Sequence, residues 1–189
     1  MWQTAIDAHI KTAEKMRLNK AFEAQLEQTA FAICKAIRRG GKILLFGNGG
    51  SAADAQHIAA EFVGRFYLER PAINAVALTT NTSILTAIAN DYDFSSVFSR
   101  QISSFATEQD IVIGISTSGS AKSVLAGLQE AKRIGACTIL LTGKNGKEGI
   151  ADYVIPVPSQ DTPRIQEMHI LIGHYWAEYV EKALYNDKF

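Results

Sequence analysis

Histidine, carboxylate and hydroxyl side chains with the spacing to share a task fall in a few short stretches of this 189-residue chain. His57 and Glu61 stand four apart in a run of good helix formers, so one helical turn sets an imidazole and a carboxylate on one face. Such a pair can move protons between neighbouring atoms of a substrate; it also fits a plain exposed i,i+4 pair. Just before it lies Gly47-Asn48-Gly49-Gly50-Ser51. Its glycines can take positive φ and let backbone N–H groups approach a ligand, and Ser51 reads as the N-cap of the following helix. Ser116-Thr117-Ser118-Gly119-Ser120 repeats that chemistry, again ahead of a helical stretch. Two hydroxyl- and glycine-rich loops at helix N-termini can surround one phosphate with donors and no fixed positive charge. Either alone also fits a turn with a capping serine. Neither matches G-x-x-x-x-G-K-[ST] or G-x-G-x-x-G, which argues against a nucleoside triphosphate or a dinucleotide.

A further stretch, Arg164 to His174, carries Gln166, Ile170 and His174 at spacings of four, close to one line along a helix. His169 points elsewhere and reads as a packing or interface histidine. Two helices that each offer a histidine and an oxygen ligand can build an N₂O₂ site for Zn²⁺. Spacing alone does not establish one, because glutamine is an uncommon ligand and no H-E-x-x-H pattern is present. Asn90-Asp91, followed by Tyr92-Asp93, fits contacts to substrate hydroxyls or a capping turn.

The elements that must position these residues alternate along the chain. Residues 3–39 read as two helices broken at Asn19, with apolar positions near the 3.6 period from Ala5 to Ile37. This pair precedes the first strand and is no crossover; its stripe packs on the core or on another subunit. Strands are expected at Ile43–Phe46, Ile73–Leu78, Ile111–Ile115, Cys137–Leu141 and Tyr153–Val157, with helices at 52–61, 82–89, 96–105, 120–134 and 163–185. Alternation at this spacing predicts a three-layer α/β domain with a five-stranded parallel sheet. Pro156 and Pro158 put the last strand at an edge. Ligands in such sheets sit beyond the carboxyl ends of the strands, where strand order reverses, and both glycine-serine loops leave strands there. We expect a single domain over residues 1–189, divided into the helical pair (1–39) and the α/β core (40–189).

Bulk properties exclude several classes. Lysine plus arginine and aspartate plus glutamate each total 19, so no net charge draws in nucleic acid or an acidic membrane surface. Cys34 and Cys137 form no framework, which suits a reducing cytosol. The N-terminus has no hydrophobic signal core, and no apolar run approaches the ~18 residues of a membrane span. The expected location is cytoplasmic, with no nucleic-acid or membrane partner.

Taken together, GNGGSAADAQHIAAEFVGR, LTAIANDY, FSRQ, IGISTSGS, LLTG and VPSQDTPRIQEMHILIGH resemble the sedoheptulose 7-phosphate (phosphoheptose) isomerases of the SIS fold superfamily, from about residue 20 to 181. The resemblance implies a flavodoxin-like five-stranded parallel sheet and a homotetramer whose active sites are built from neighbouring subunits. It implies isomerisation of sedoheptulose 7-phosphate to D-glycero-D-manno-heptose 7-phosphate, the entry to nucleotide-activated heptose for surface polysaccharide. By motif, Asn48, Gly49, Gly50 and Ser51 match substrate-binding residues, Asn90 and Asp91 a substrate-contacting pair, and Ser116, Thr117 and Ser118 the phosphate loop. Glu61 and His174 match the catalytic base and its partner. His57, Glu61, Gln166 and His174 match the ligands of one Zn²⁺ per subunit, with Gln166 also contacting substrate. Ala121 departs from the pattern, where the family often has a serine.

The implied chemistry runs through an enediol, with Glu61 moving a proton between C1 and C2 and His174 serving the oxygens. Two rival classes stand beside it. One is a non-catalytic binding module, disfavoured because Glu61 and His174 are both present; the other is an isomerase of an arabinose or hexose phosphate, disfavoured by the intact RIQE-type terminal helix.

Overall fold

The structure is a computed structural model that describes residues 1–146 and 148–186. Among these, five parallel strands form one sheet: β1 (Ile43–Gly47), β2 (Ala75–Ala77), β3 (Ile111–Ser116), β4 (Cys137–Thr142) and β5 (Tyr153–Pro156). Their order is β2-β1-β3-β4-β5, with Leu45 between Ala77 and Ile113, and Ile113 beside Ile139. This is the flavodoxin-like order, whose reversal falls between β1 and β3. Seven α-helices accompany it among the described residues: α1 (Trp2–Arg17), α2 (Lys20–Arg38), α3 (Gly50–Val63), α4 (Thr82–Asp91), α5 (Val97–Phe105), α6 (Lys122–Ile134) and α7 (Thr162–Tyr185). The break at Asn19 is as expected, its side chain accepting from the Phe22 N–H.

Every residue of β1 and β3 is buried, which is why both read as unbroken apolar runs. The pleat sends alternate residues to two cores. Ile43, Leu45, Ile113 and Leu141 pack with Ile33 of α2, Ile58 and Phe62 of α3, and Met168 and Trp176 of α7. Leu44, Phe46, Val112 and Leu140 pack with Phe98 and Ile102 of α5 and with Val124 and Leu128 of α6. The helical pair covers α7: Trp176 Nε1 donates to Thr29 Oγ1 at 2.9 Å, and Arg164 Nη1 donates to the Ala5 carbonyl at 2.6 Å.

β2 is shorter than its apolar run. It is an edge strand, its ladder with β1 closes at the Leu78 N–H to Leu45 carbonyl bond, and Val76 faces outward uncovered. α4 buries none of its residues within one chain. No helix among the described residues is long and apolar enough to cross a membrane.

Candidate active site

The carboxyl ends of β1 and β3 carry the two loops. After β1, Gly49 takes φ 56°, a left-handed conformation open to glycine at little cost, and it is Gly49 that occupies the N-cap of α3. The expected cap, Ser51, lies one step inside the first turn and is buried, its N–H donating to the Asn48 carbonyl at 3.0 Å. The sharp glycine turn starts the helix a residue or two earlier than a serine cap would. After β3, Ser118 Oγ accepts from Ser120 Oγ at 3.0 Å and lies 3.4 Å from Ser116 Oγ, so three hydroxyls cluster ahead of α6. Ala121 is the N-cap of α6 and offers no side-chain bond. Asn48 Nδ2 donates to Ser123 Oγ at 2.9 Å, tying the first loop to the first turn of α6. The two loops are thus neighbours at the switch point. Ser123 was not singled out from the sequence, since a serine is ordinary in a helix's first turn.

α3 and α7 run side by side in the same direction. The Gln166 amide occupies the space where a side chain on Gly50 would stand; Ile58 likewise fills the space beside Gly173. That second approach brings the flanking histidines together, with His57 Nε2 2.8 Å from His174 Nε2. Glu61 Oε1 lies 3.4 Å from His57 Nε2. One ligand atom from each of His57, Glu61 and His174 falls within 4.8 Å of the others. Two imidazole nitrogens aimed at one another beside a carboxylate oxygen make a donor set that fits a divalent ion such as Zn²⁺. All three come from one chain. Gln166, by contrast, sits two turns of α7 before His174, on the order of 12 Å along the axis, and lies against Gly50 instead. Asn90 and Asp91 bond to each other, Nδ2 to Oδ1 at 2.9 Å, at the exposed end of α4.

A buried clamp holds this geometry, and sequence reasoning missed it. Glu181 accepts from the N–H groups of Phe66, Tyr67 and Leu68 at 2.7–2.8 Å and from Arg70 Nε at 3.0 Å. Arg70 in turn donates to the carbonyls of Glu61 and Phe62 at the end of α3. Both side chains are 1% exposed. Burial pushes the Glu181 carboxyl up, but the three N–H groups and Arg70 outweigh it and leave the group below the ordinary carboxylate value. The Phe66 ring, placed by this clamp, stands 5.3 Å from the His174 ring, centroid to centroid. Only charge-in-a-loop signals mark Arg70 in the sequence, and its partner lies 111 residues away. Asp54, on α3 one turn before His57, is also buried; burial pushes its carboxyl up to about 6, the His57 charge opposing, and Oδ2 has no partner among the described residues. His169 is fully buried, with Nε2 3.3 Å from the Thr142 carbonyl, a packing role as expected.

A parallel sheet with hydroxyl-rich loops converging at its switch point is the architecture of a SIS domain, and the SIS domain family model matches residues 9–143. The phosphoheptose isomerase of Clostridium acetobutylicum is 46% identical over 188 residues, covering 98% of this chain and 96% of that protein. The solved phosphoheptose isomerase of Neisseria gonorrhoeae superposes with a TM-score of 0.82 at 38% identity, over 96% of this chain and all (100%) of that one. The one from Francisella tularensis gives 0.85 at 33% identity, over 96% and 94%. This chain therefore belongs to the phosphoheptose isomerases, within the SIS domain family.

Proposed function

We propose that the chain interconverts sedoheptulose 7-phosphate and D-glycero-D-manno-heptose 7-phosphate, the first step toward nucleotide-activated heptose for surface polysaccharide such as lipopolysaccharide. The observation that carries this reading is the convergence of His57, Glu61 and His174, within 4.8 Å, on a sheet whose two neighbouring loops offer hydroxyls and free N–H groups. The phosphate is held by Ser116, Thr117 and Ser118 with Asn48, Gly49, Gly50 and Ser51 at its side. Asn90 and Asp91 meet the sugar hydroxyls. Glu61 takes the proton from C1 of the open-chain ketose and returns it at C2 of the enediol, while His174 moves the hydroxyl proton from O1 to O2. Atoms balance, since one proton leaves C1 and one arrives at C2.

His57, Glu61 and His174 would hold one Zn²⁺ per subunit, with Gln166, on the same side of α7, proposed as a fourth ligand. When bound, the ion supplies Lewis-acid polarisation of the substrate carbonyl. A homotetramer fits the exposed face of α4, which buries nothing in one chain, and carries Asn90 and Asp91 at its end. The cytoplasm is the proposed compartment. The test is conversion of sedoheptulose 7-phosphate by purified protein, with and without a chelator. Appearance of the aldose supports the assignment, and a rate lost on chelation and restored by Zn²⁺ supports the metal. No aldose from metal-replete protein removes the assignment; an unchanged rate after complete metal removal discards the zinc and keeps the enediol.

A further inference from the structure

A second cavity, about 330 Å³, opens between α1, the turn after β4 and the start of α7, and it shares no residue with the site above. Lys11 and Lys15 face it from successive turns of α1, Lys144 from the turn, and Arg164 from α7. None of the three lysines has an ion-pair partner among the described residues. Arg164 is paired, through Glu167 at 2.7 Å and, from its buried Nε, with Asp161 at 4.0 Å. Counting both carboxylates, the cavity keeps an excess of positive charge in a chain whose formal net charge is zero. The N-terminus of α7 opens beside it, and Asp161, its N-cap residue, makes no side-chain cap bond. Lysine ammonium groups and a helix dipole favour the same occupant, a compact polyanion. The two lysines lie on the side of α1 away from Ile6 and Ile10, the exposed apolar residues that suit a subunit contact.

We propose that this cavity is an anion site for a phosphate or pyrophosphate ester, separate from the catalytic centre. Its wall is bonded to the phosphate loop: the Gly143 N–H donates to the Thr117 carbonyl at 3.0 Å, and the Lys144 N–H to the Ser159 carbonyl at 3.1 Å. The test is calorimetric titration with inorganic pyrophosphate at about 150 mM salt, where exposed charges are largely screened. Wild type, Lys11→Glu/Lys15→Glu, Lys11→Arg/Lys15→Arg and Ser116→Ala/Ser118→Ala are compared. Charge reversal should weaken binding at this site at least about tenfold and the arginine pair should retain it, while the serine variant, which removes any binding at the phosphate loop, should keep the event that charge reversal weakens. The arginine pair also guards against misfolding, since it keeps size and charge. Absence of binding to wild type, or binding lost in the serine variant and kept on charge reversal, overturns the site. The readout is binding, not turnover, so it stands or falls apart from the isomerase assignment.

Discussion

Replacing Gly173 with alanine should cost this protein far more activity than stability. A Cβ there would stand 2.6 Å from Ile58 Cδ1, and closer still to Cγ1, where ordinary carbon contacts are about 3.5–4.0 Å. Ile58 is fully buried and β-branched, so its side chain has little freedom to move aside. The helices must therefore part by roughly 1 Å. Overpacking of this kind costs about 1–3 kcal/mol, and the better helix propensity of alanine returns about 1 kcal/mol. The net, about 0–2 kcal/mol, lowers the thermal midpoint by no more than about 8 °C in a chain this long. The same displacement opens the 2.8 Å contact of His57 and His174 beyond hydrogen-bond range, and misplacing catalytic groups by about 1 Å can cost about a hundredfold. Steady-state turnover and differential scanning calorimetry on one preparation separate the two effects. Adding Ile58→Ala to Gly173→Ala makes room for the new methyl and should restore turnover substantially, a coupling that a double-mutant cycle reads directly. Turnover of Gly173→Ala within about threefold of wild type would refute the view that this helix approach sets the site.

Glu61→Gln keeps the shape and removes the base, so kcat should fall by about 10²–10⁴ while sugar phosphate still binds; near-normal turnover would take Glu61 out of the mechanism. Arg70→Met strands the buried Glu181 carboxylate, and breaking such a pair costs about 3–5 kcal/mol, seen as a fall of roughly 6–20 °C in the thermal midpoint. A loss under about 2 °C would mean that water enters the clamp. Burial pulls the His169 pKa from 6.5 down to about 4, the bond to the Thr142 carbonyl opposing. Between those values the unfolded chain binds more protons, so His169 destabilises the fold increasingly as pH falls, by on the order of 3 kcal/mol near pH 4. Chemical denaturation of His169→Gln should show that part of the acid slope gone; an identical slope would place the titration elsewhere.

Much of this architecture was legible in the residues. Five apolar runs between helical stretches implied the parallel sheet, and the glycine-serine loops after β1 and β3 pointed to the strand ends where they lie. The spacing of His57 and Glu61 placed both on one helical face. What brings His174 to them was hidden, because it depends on Gly173 meeting Ile58, a contact between segments 115 residues apart in sequence. Arg70 and Glu181 carry no pairing signal in the sequence for the same reason: only folding shows that each has a buried partner. Ser51 misled because a serine before a helical run usually caps it, whereas here Gly49, free to take positive φ, starts the helix sooner. Gln166 fell on the predicted face of α7, yet side-chain direction within that face set it on Gly50.

The most direct measurement is a crystal structure of Glu61→Gln holding sedoheptulose 7-phosphate. The phosphate should lie among Ser116, Ser118 and the N–H groups of Gly49 and Gly50, with C1 and C2 about 3–3.5 Å from the glutamine amide that stands in for the base. A phosphate bound anywhere else, or reactive carbons pointing away from His57, position 61 and His174, would contradict the account.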